Sequence, residues 1–557
     1  MKKYQTVNLL TPFAEKVGDI PWGEYPRPTL VRDSYLSLNG EWELSASSYH
    51  GKITVPFPPE SVLSGIGKSL DEALVYKKNF SLPEGFVRGR VLLHFGAVDA
   101  EAQVFLNGKE LGCHEGGYLA FSFDITDFLK KGENELEVRV IDSLDTELPY
   151  GKQRKVRGGM WYTPISGIWQ SVWLESVPTD YIERLEILPA LDRVKIKVVG
   201  GAEQKKLTLE DGNSYEFVGG VIEIPIAAPE NWTPENPKLY GFTVECGEDK
   251  VSSYFALRTV ETEGNRILLN GKPYFFHGLL DQGYFSDGIY TPATPKGYEF
   301  DICEMKKLGF NMLRKHIKTE PELFYYYCDK HGMAVFQDFV NSGKYSFLVD
   351  TALPTAGLKR GISHRASPRR RERFESDGHA TLAQLYNHPS VVYYTIFNEG
   401  WGQYDADRLY REMKAADPSR VFDATSGWFF EKESDVDSHH VYFKPIKLKI
   451  GARPLVLSEF GGYSCKIEGH SFNLDKTYGY KYFSKAEEFE KALERLYLDE
   501  VVPAVRKGLC AAVLTQVSDV EDETNGLVTY DRKVVKVSEQ RMKAIRAAID
   551  KAHEENK

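Results

Sequence analysis

The chain has 557 residues, 42% hydrophobic and 27% charged, with 70 Lys and Arg against 80 Asp and Glu for a net charge of -10. That is the balance of a globular protein of about three domains, at roughly 100–200 residues each. The acidic excess argues against nucleic acid as the main partner, and no stretch reaches the ~18 apolar residues of a membrane span.

Cys113, Cys246, Cys303, Cys328, Cys465 and Cys510 are scattered, without the short paired spacing of zinc or redox sites. They read as free, mostly buried thiols of a reducing compartment. The apolar run within residues 1–19 is too short and broken for a signal peptide, so a cytoplasmic location is expected.

The first stretch, to about residue 178, is expected to be a β-sandwich. Short alternating runs such as Val91–Phe95, Ala102–Leu106 and Glu135–Ile141 are separated by turn signals such as Asn107-Gly108. From 179 to about 262 the alternation continues through Leu185–Leu188, Val194–Val198 and Gly241–Val244, around the Pro-rich segment Asn231–Pro237. Some 80 residues of this kind suit an immunoglobulin-like sandwich. From 263 to 557 the grammar changes. Apolar runs such as Met333–Asp338 and Val391–Phe397 read as strands buried on both faces. They alternate with helical spacing at Gly297–Leu308, Glu320–His331, Asp405–Ala416 and Ala486–Leu498, which predicts a (β/α)₈ TIM barrel.

Two barrel strands end in a glutamate. Thr395–Phe397 leads into Asn398-Glu399, and Pro454–Ser458 leads into Glu459 before Gly461-Gly462. In a barrel of this type the strand ends open onto the active-site face. Two carboxylates facing one cavity supply what glycoside hydrolysis needs, one protonated to assist the departing oxygen and one ionised to attack the anomeric carbon. A single strand-end glutamate is more often a cap or a surface residue; the pair is what carries the reading. Asn398 is positioned to meet the hydroxyl beside the anomeric centre.

At these residues the chain resembles glycoside hydrolase family 2, which contains β-galactosidases, β-glucuronidases and β-mannosidases. Leu38–Trp42 resembles the family's opening strand, and Trp161–Leu174 the end of its sugar-binding jelly roll. Trp232–Tyr240 is similar to the hallmark of its immunoglobulin-like domain, and Leu269–Pro273 to the opening of its barrel. The resemblance implies Glu399 as acid/base, Glu459 as nucleophile, and net retention. It also implies that Tyr442 steadies Glu459 and that Arg314 lies beside it. The resemblance leaves a homo-oligomer open; some family members hold magnesium or sodium, but no metal-ligand spacing is evident in the sequence, and no cofactor is expected.

The specificity positions depart from the family pattern. Arg314-Lys315-His316 stands where the family has Arg-x-Ser-His, Gly159 aligns with the sugar-binding aspartate of β-galactosidases, and Leu514–Asp519 stands where a tryptophan is usual. The Asn-x-Lys signature of glucuronidases is not evident after Glu459. The expected function is a retaining exo-β-glycosidase, β-galactosidase-like first, with a glucuronidase, galacturonidase, pentosidase or furanosidase as the alternative. A non-catalytic carbohydrate-binding protein is the rival from another class, and a transglycosylase shares the chemistry. Further candidates for holding the carbohydrate are Asp281, Gln282, His316, Asp338, Trp401, Trp428 and His440, with Gln516 and Asp519 of the last strand weaker ones. Asp281 also reads as a loop cap, the tryptophans as core, and the histidines as structural. The basic run Arg369–Arg373 reads as a solvated helix face or as a contact with another subunit or an acidic substrate, and Gly361–Phe374 as a barrel loop over the site.

Overall fold

The computed structural model describes residues 5–70, 73–358 and 365–556. Its first sandwich faces a four-stranded sheet (Tyr35–Ser37, Val172–Val177, Arg90–Phe95, Phe121–Asp124) against a six-stranded one running from Tyr49–Val55 to Lys109–Glu115. Strict alternation makes the core: along Glu133–Ile141, residues Asn134, Leu136, Val138 and Val140 are buried between exposed or half-buried neighbours. The second sandwich pairs Ile182–Pro189, Arg193–Gly200 and Val221–Pro225 against a sheet that includes Gln204–Leu209 and Tyr240–Cys246.

The expected domain order needs one amendment at its start. Residues 5–22 lie against the barrel rather than in the first sandwich. Thr11 donates to Asp287 at 2.6 Å, and the Trp22 indole donates to the Pro292 carbonyl while its ring joins the barrel's core.

Eight parallel strands form the barrel: β1 (Phe276–Asp281), β2 (Met312–Lys315), β3 (Ala334–Asp338), β4 (Val391–Asn398), β5 (Val421–Ser426), β6 (Asp437–Val441), β7 (Leu455–Gly461) and β8 (Leu509–Thr515). Backbone ladders join them in the order β5-β4-β3-β2-β1-β8-β7-β6. Between β5 and β6, side chains close the ring: Ser438 donates to the Thr425 carbonyl, and Ser426 meets His440 at 3.2 Å. Trp232 of the second sandwich packs with barrel residues such as Ile267 and Phe276 and donates its indole N–H to the Asp329 carbonyl. Truncating so buried a tryptophan costs about 3–5 kcal/mol.

Five of the seven strand crossovers carry helices, and a further helix follows β8. Lys296–Lys307, Glu322–His331, Ala406–Ala416 and Ala486–Leu496 fall where the spacing placed them, and Pro368–Leu385 and Glu539–Glu554 are additional. The connections after β5 and β6 contain none, so the eighth-fold α repeat is incomplete. The basic run lies on the helix Pro368–Leu385, where Arg369 pairs with Asp145 at 2.7 Å and Arg373 with Glu115 at 2.7 Å. It therefore clamps the first sandwich to the barrel. Residues 361–364 of the expected loop lie outside the described residues.

Candidate active site

Arg314 organises the mouth of the barrel. Alternation along β2 turns Met312 and Arg314 inward and Leu313 and Lys315 outward. From its inward position the fully buried guanidinium donates to Asp338 on β3 (2.9 Å), Asn398 on β4 (2.9 Å), and the Ser458 carbonyl (2.9 Å) and Glu459 (3.1 Å) on β7. One planar fork thus ties three strand ends together. Burial opposes the charge on Asp338, but Arg314 and His316 outweigh it and hold its carboxyl below the usual range.

Glu459 receives a second donor from the Tyr442 hydroxyl, which also meets Thr515 at 3.0 Å. Glu399 leaves β4 with φ at 55°, a left-handed conformation that costs a non-glycine residue roughly 1–2 kcal/mol. The Glu399 amide donates to the Ser426 carbonyl at 2.9 Å, and Trp428 donates to the Glu399 carbonyl at 2.8 Å. Gly400 follows at φ 69°, and a Cβ there would run into the Phe429 ring. Burial raises the Glu399 carboxyl above the ordinary value, against the lowering pull of Lys152, His316 and Arg314.

His440 bridges the two glutamates, with Nδ1 2.8 Å from Glu399 and Nε2 3.6 Å from Glu459. Burial depresses its pKa to about 3, so the ring is neutral. Arg314 only donates, and its Nη1 lies 3.3 Å from His440 Nε2. Nε2 is then the acceptor and Nδ1 carries the hydrogen, donated to Glu399 Oε1. A proton on Glu399 accordingly resides on Oε2. Donor atoms of Glu399, His440 and Glu459 all lie within 4.8 Å of one another. That spacing also suits a cation, but the Arg314 guanidinium already supplies positive charge there.

The remaining candidates divide. His316 bonds Asp338 at 2.9 Å, 3.9 Å from Glu459, and belongs to the cluster. Gln282 donates to Gln516 at 2.8 Å across β1 and β8, with its own Oε1 buried and unpartnered. Trp428 lines the cavity. Asp281 points the other way: it accepts from Lys315 at 2.6 Å on the outer face of the barrel wall, as the parity of β1 and β2 demands. Trp401 is core, held by the Gly343 carbonyl and packed edge-on against Tyr150 and Trp161. Asp519 is spent on buried Lys536 at 2.6 Å.

Lys152 and Glu523 join the site without having been singled out. Lys152 sits in the first sandwich's loop, 5.8 Å over the Trp161 ring, and acts electrostatically on Glu399, His316 and Glu523. Glu523 accepts the Tyr162 hydroxyl from the same loop and lies 3.5 Å from Gln516. The basic run from Lys152 to Arg157, just before Gly158-Gly159, was the available signal for the first; Glu523 had none. Gly159 itself packs under Tyr478. A cavity of about 1340 Å³ opens from Glu399, Trp428, His440 and Tyr442.

Three family models match in succession: glycosyl hydrolases family 2, sugar binding domain (28–178), glycosyl hydrolases family 2 (180–258), and glycosyl hydrolases family 2, TIM barrel domain (260–536). A β-galactosidase of Aeromonas hydrophila is 28% identical over 465 residues, 72% of this chain and 42% of its own length. A β-glucuronidase of Bacteroides fragilis is 25% identical over 362 residues, covering 58% of this chain and 49% of its own. The chain thus spans less than half the length of these relatives. Among solved structures, a β-D-glucuronidase of Dictyoglomus thermophilum superposes with a TM-score of 0.77 at 21% identity, covering 95% of this chain and 98% of that one. A β-galacturonidase of Eisenbergiella tayi gives 0.71 at 19%, covering 95% and 98%. With its three domains matched in order over 28–536, the chain belongs to glycosyl hydrolase family 2.

Proposed function

We propose that the protein is a retaining exo-β-glycosidase that removes a terminal non-reducing sugar by double displacement. The observation that carries this reading is the approach of the Glu399 and Glu459 carboxylates, one oxygen of each lying within 4.8 Å of the other. Retaining enzymes hold their carboxyl groups about 5–5.5 Å apart, and inverting ones about 6.5–9.5 Å to admit a water. Glu459 attacks the anomeric carbon while Glu399 delivers its proton to the leaving oxygen; the glycosyl–Glu459 ester is then cleaved by water that Glu399 deprotonates. Arg314 and Tyr442 offset the charge of Glu459, and neutral His440 orients Glu399.

Exo action is supported by the first sandwich's loop, which closes one side of the mouth. Tyr150 donates to the Gly343 carbonyl at 2.9 Å, and Tyr162 reaches Glu523. A chain continuing past the reacting sugar meets that wall. A β-galactoside is the first reading for the sugar, with Gln282 and Glu523 as hydroxyl partners. A uronide is the second, favoured by Lys152, whose ammonium makes no ion pair among the described residues and stands near Glu399.

The test is a panel of nitrophenyl β-glycosides, spanning galactose, the uronic acids, mannose, glucose, fucose and arabinose. Wild type should release one of them with the β-anomer appearing first by NMR. Glu459→Gln should lose roughly 10⁴-fold or more in kcat, and azide should restore turnover to Glu399→Ala as the β-glycosyl azide. Release of the α-anomer first, or turnover surviving Glu459→Gln, refutes the assignment.

A further inference from the structure

The cavity is larger than a terminal sugar requires. Ligand pockets run from about 300 to 1,000 Å³, whereas this one reaches about 1340 Å³. Its inner end is bordered by Glu399, the residue that must reach the leaving oxygen, so the outer part receives the leaving group. It lies along the helix-free connections after β5 and β6 and is lined as well by Phe347, Thr351 and Pro354 of the β3–β4 connection.

The β6–β7 connection, with Tyr480 from beyond β7, gives the outer cavity its chemistry through two features. An aromatic series runs outward from Glu459: Tyr442 stacks on Tyr480 at 4.2 Å, and Tyr480 meets Phe443 edge-on at 5.0 Å. Phe443 is 68% exposed, and across the cavity Phe347 is 69% exposed. Such rings suit the apolar face of a pyranose. Then come Lys444, Lys447 and Lys449, all exposed and lining the cavity. Ile446, Leu448 and Ile450 pack on the barrel's hydrophobic shell, and the Ile446 amide donates to Glu500 at 2.6 Å. The segment is therefore anchored, and its alternation turns Lys447 and Lys449 outward.

None of the three lysines has an ion-pair partner among the described residues, in a chain of net charge -10. Arg453 and Asp437 on the same wall neutralise each other, which leaves Glu431 as the opposing carboxylate. Three ammonium groups against one carboxylate, beyond an aromatic platform, select a negatively charged sugar.

We infer that the outer cavity is a leaving-group site for an acidic oligosaccharide, its carboxylate or sulfate groups held by Lys444, Lys447 and Lys449 and its first ring lying on Phe443. This inference rests on the proposed glycosidase reading, which it extends from the terminal sugar to the chain behind it. No charge moves between protein and leaving group; the lysines act by attraction that salt screens.

The test compares two glycosides of whichever sugar the wild type releases, one with a neutral methylumbelliferyl leaving group and one with 3-carboxyumbelliferyl. The quantity read is the ratio of kcat/KM for the charged over the neutral substrate. In Lys444→Gln/Lys447→Gln/Lys449→Gln this ratio should fall about tenfold at low salt, roughly twofold per lysine, as for exposed ion pairs. In the wild type, 0.5 M salt should produce the same fall. A ratio indifferent to both the lysines and salt overturns the inference. Binding is read independently of turnover by calorimetry with tetragalacturonic acid and with a chondroitin sulfate tetrasaccharide. Tighter binding of either by wild type than by the triple variant supports the site and tells carboxylate from sulfate; equal or absent binding of both overturns it. If no glycoside is hydrolysed, the glycosidase reading fails, while calorimetry still decides for or against the lysine site.

Discussion

Arg314 and Lys315 are adjacent residues of one strand, both fully buried, both paired with carboxylates, and they do opposite things. Arg314 faces the barrel axis and gathers Asp338, Asn398 and Glu459 around an open cavity. Lys315 faces the helices and joins Asp281 at 2.6 Å and Glu320 at 2.9 Å in a region without solvent. The inner network borders a substrate space; the outer one has nowhere for a ligand to go. Charge and burial alone do not distinguish a site from a strut. The parity of a side chain along its strand does.

That comparison can be broken or sharpened by substitution. The largest effect is expected from Arg314→Gln, which leaves Asp338 and Glu459 without their shared cation. Measured on the released glycoside, kcat should fall about 10²–10³-fold, the scale of removing a preorganised donor at a charged centre. Lys315→Met should act on stability, because it strands Asp281 as a buried carboxylate, at a cost of about 3–5 kcal/mol, while Glu320 keeps Lys318 at 2.9 Å. Chemical denaturation should show that loss, while folded enzyme at low temperature keeps its kcat. If Lys315→Met instead abolishes turnover in the folded state, the division into inner and outer networks is wrong.

The smallest effect is expected from Lys152→Ala. Lys152 lowers the Glu399 carboxyl, so its removal raises that pKa further. In the proposed reaction the acid form protonates the leaving group, and it is lost as pH rises through this pKa. The alkaline limb of kcat/KM should therefore move to higher pH in the variant. A shift to lower pH, or none, would detach Lys152 from the acid.

Much of this was legible in the sequence. Alternation marked both sandwiches, continuous apolar runs marked the barrel strands, and Glu399 and Glu459 stood out because each ends such a run. Arg314, His440 and Tyr442 followed from family motifs, and the structure gathers all three around the two glutamates. Asp281 did not behave as read, because a strand-end carboxylate looks the same whether it faces inward or outward. Trp401 was offered as a sugar platform, yet Tyr150 and Trp161, from a loop about 240 residues earlier, bury it. The open side of the barrel is visible in hindsight as the absence of helical spacing between Ser426 and Leu455.

The loop of the first sandwich carries a consequence for biogenesis. Tyr150, Lys152, Trp161 and Tyr162 are synthesised long before Glu399 and Glu459, and they complete a pocket whose other half does not yet exist. A ribosome-bound chain holds one wall of the site in waiting, and a barrel expressed by itself would expose Trp401 and leave Glu523 without its hydroxyl donor. Under the proposed function, turnover would therefore also report docking, since the pocket is complete only after the first domain and the last have found each other.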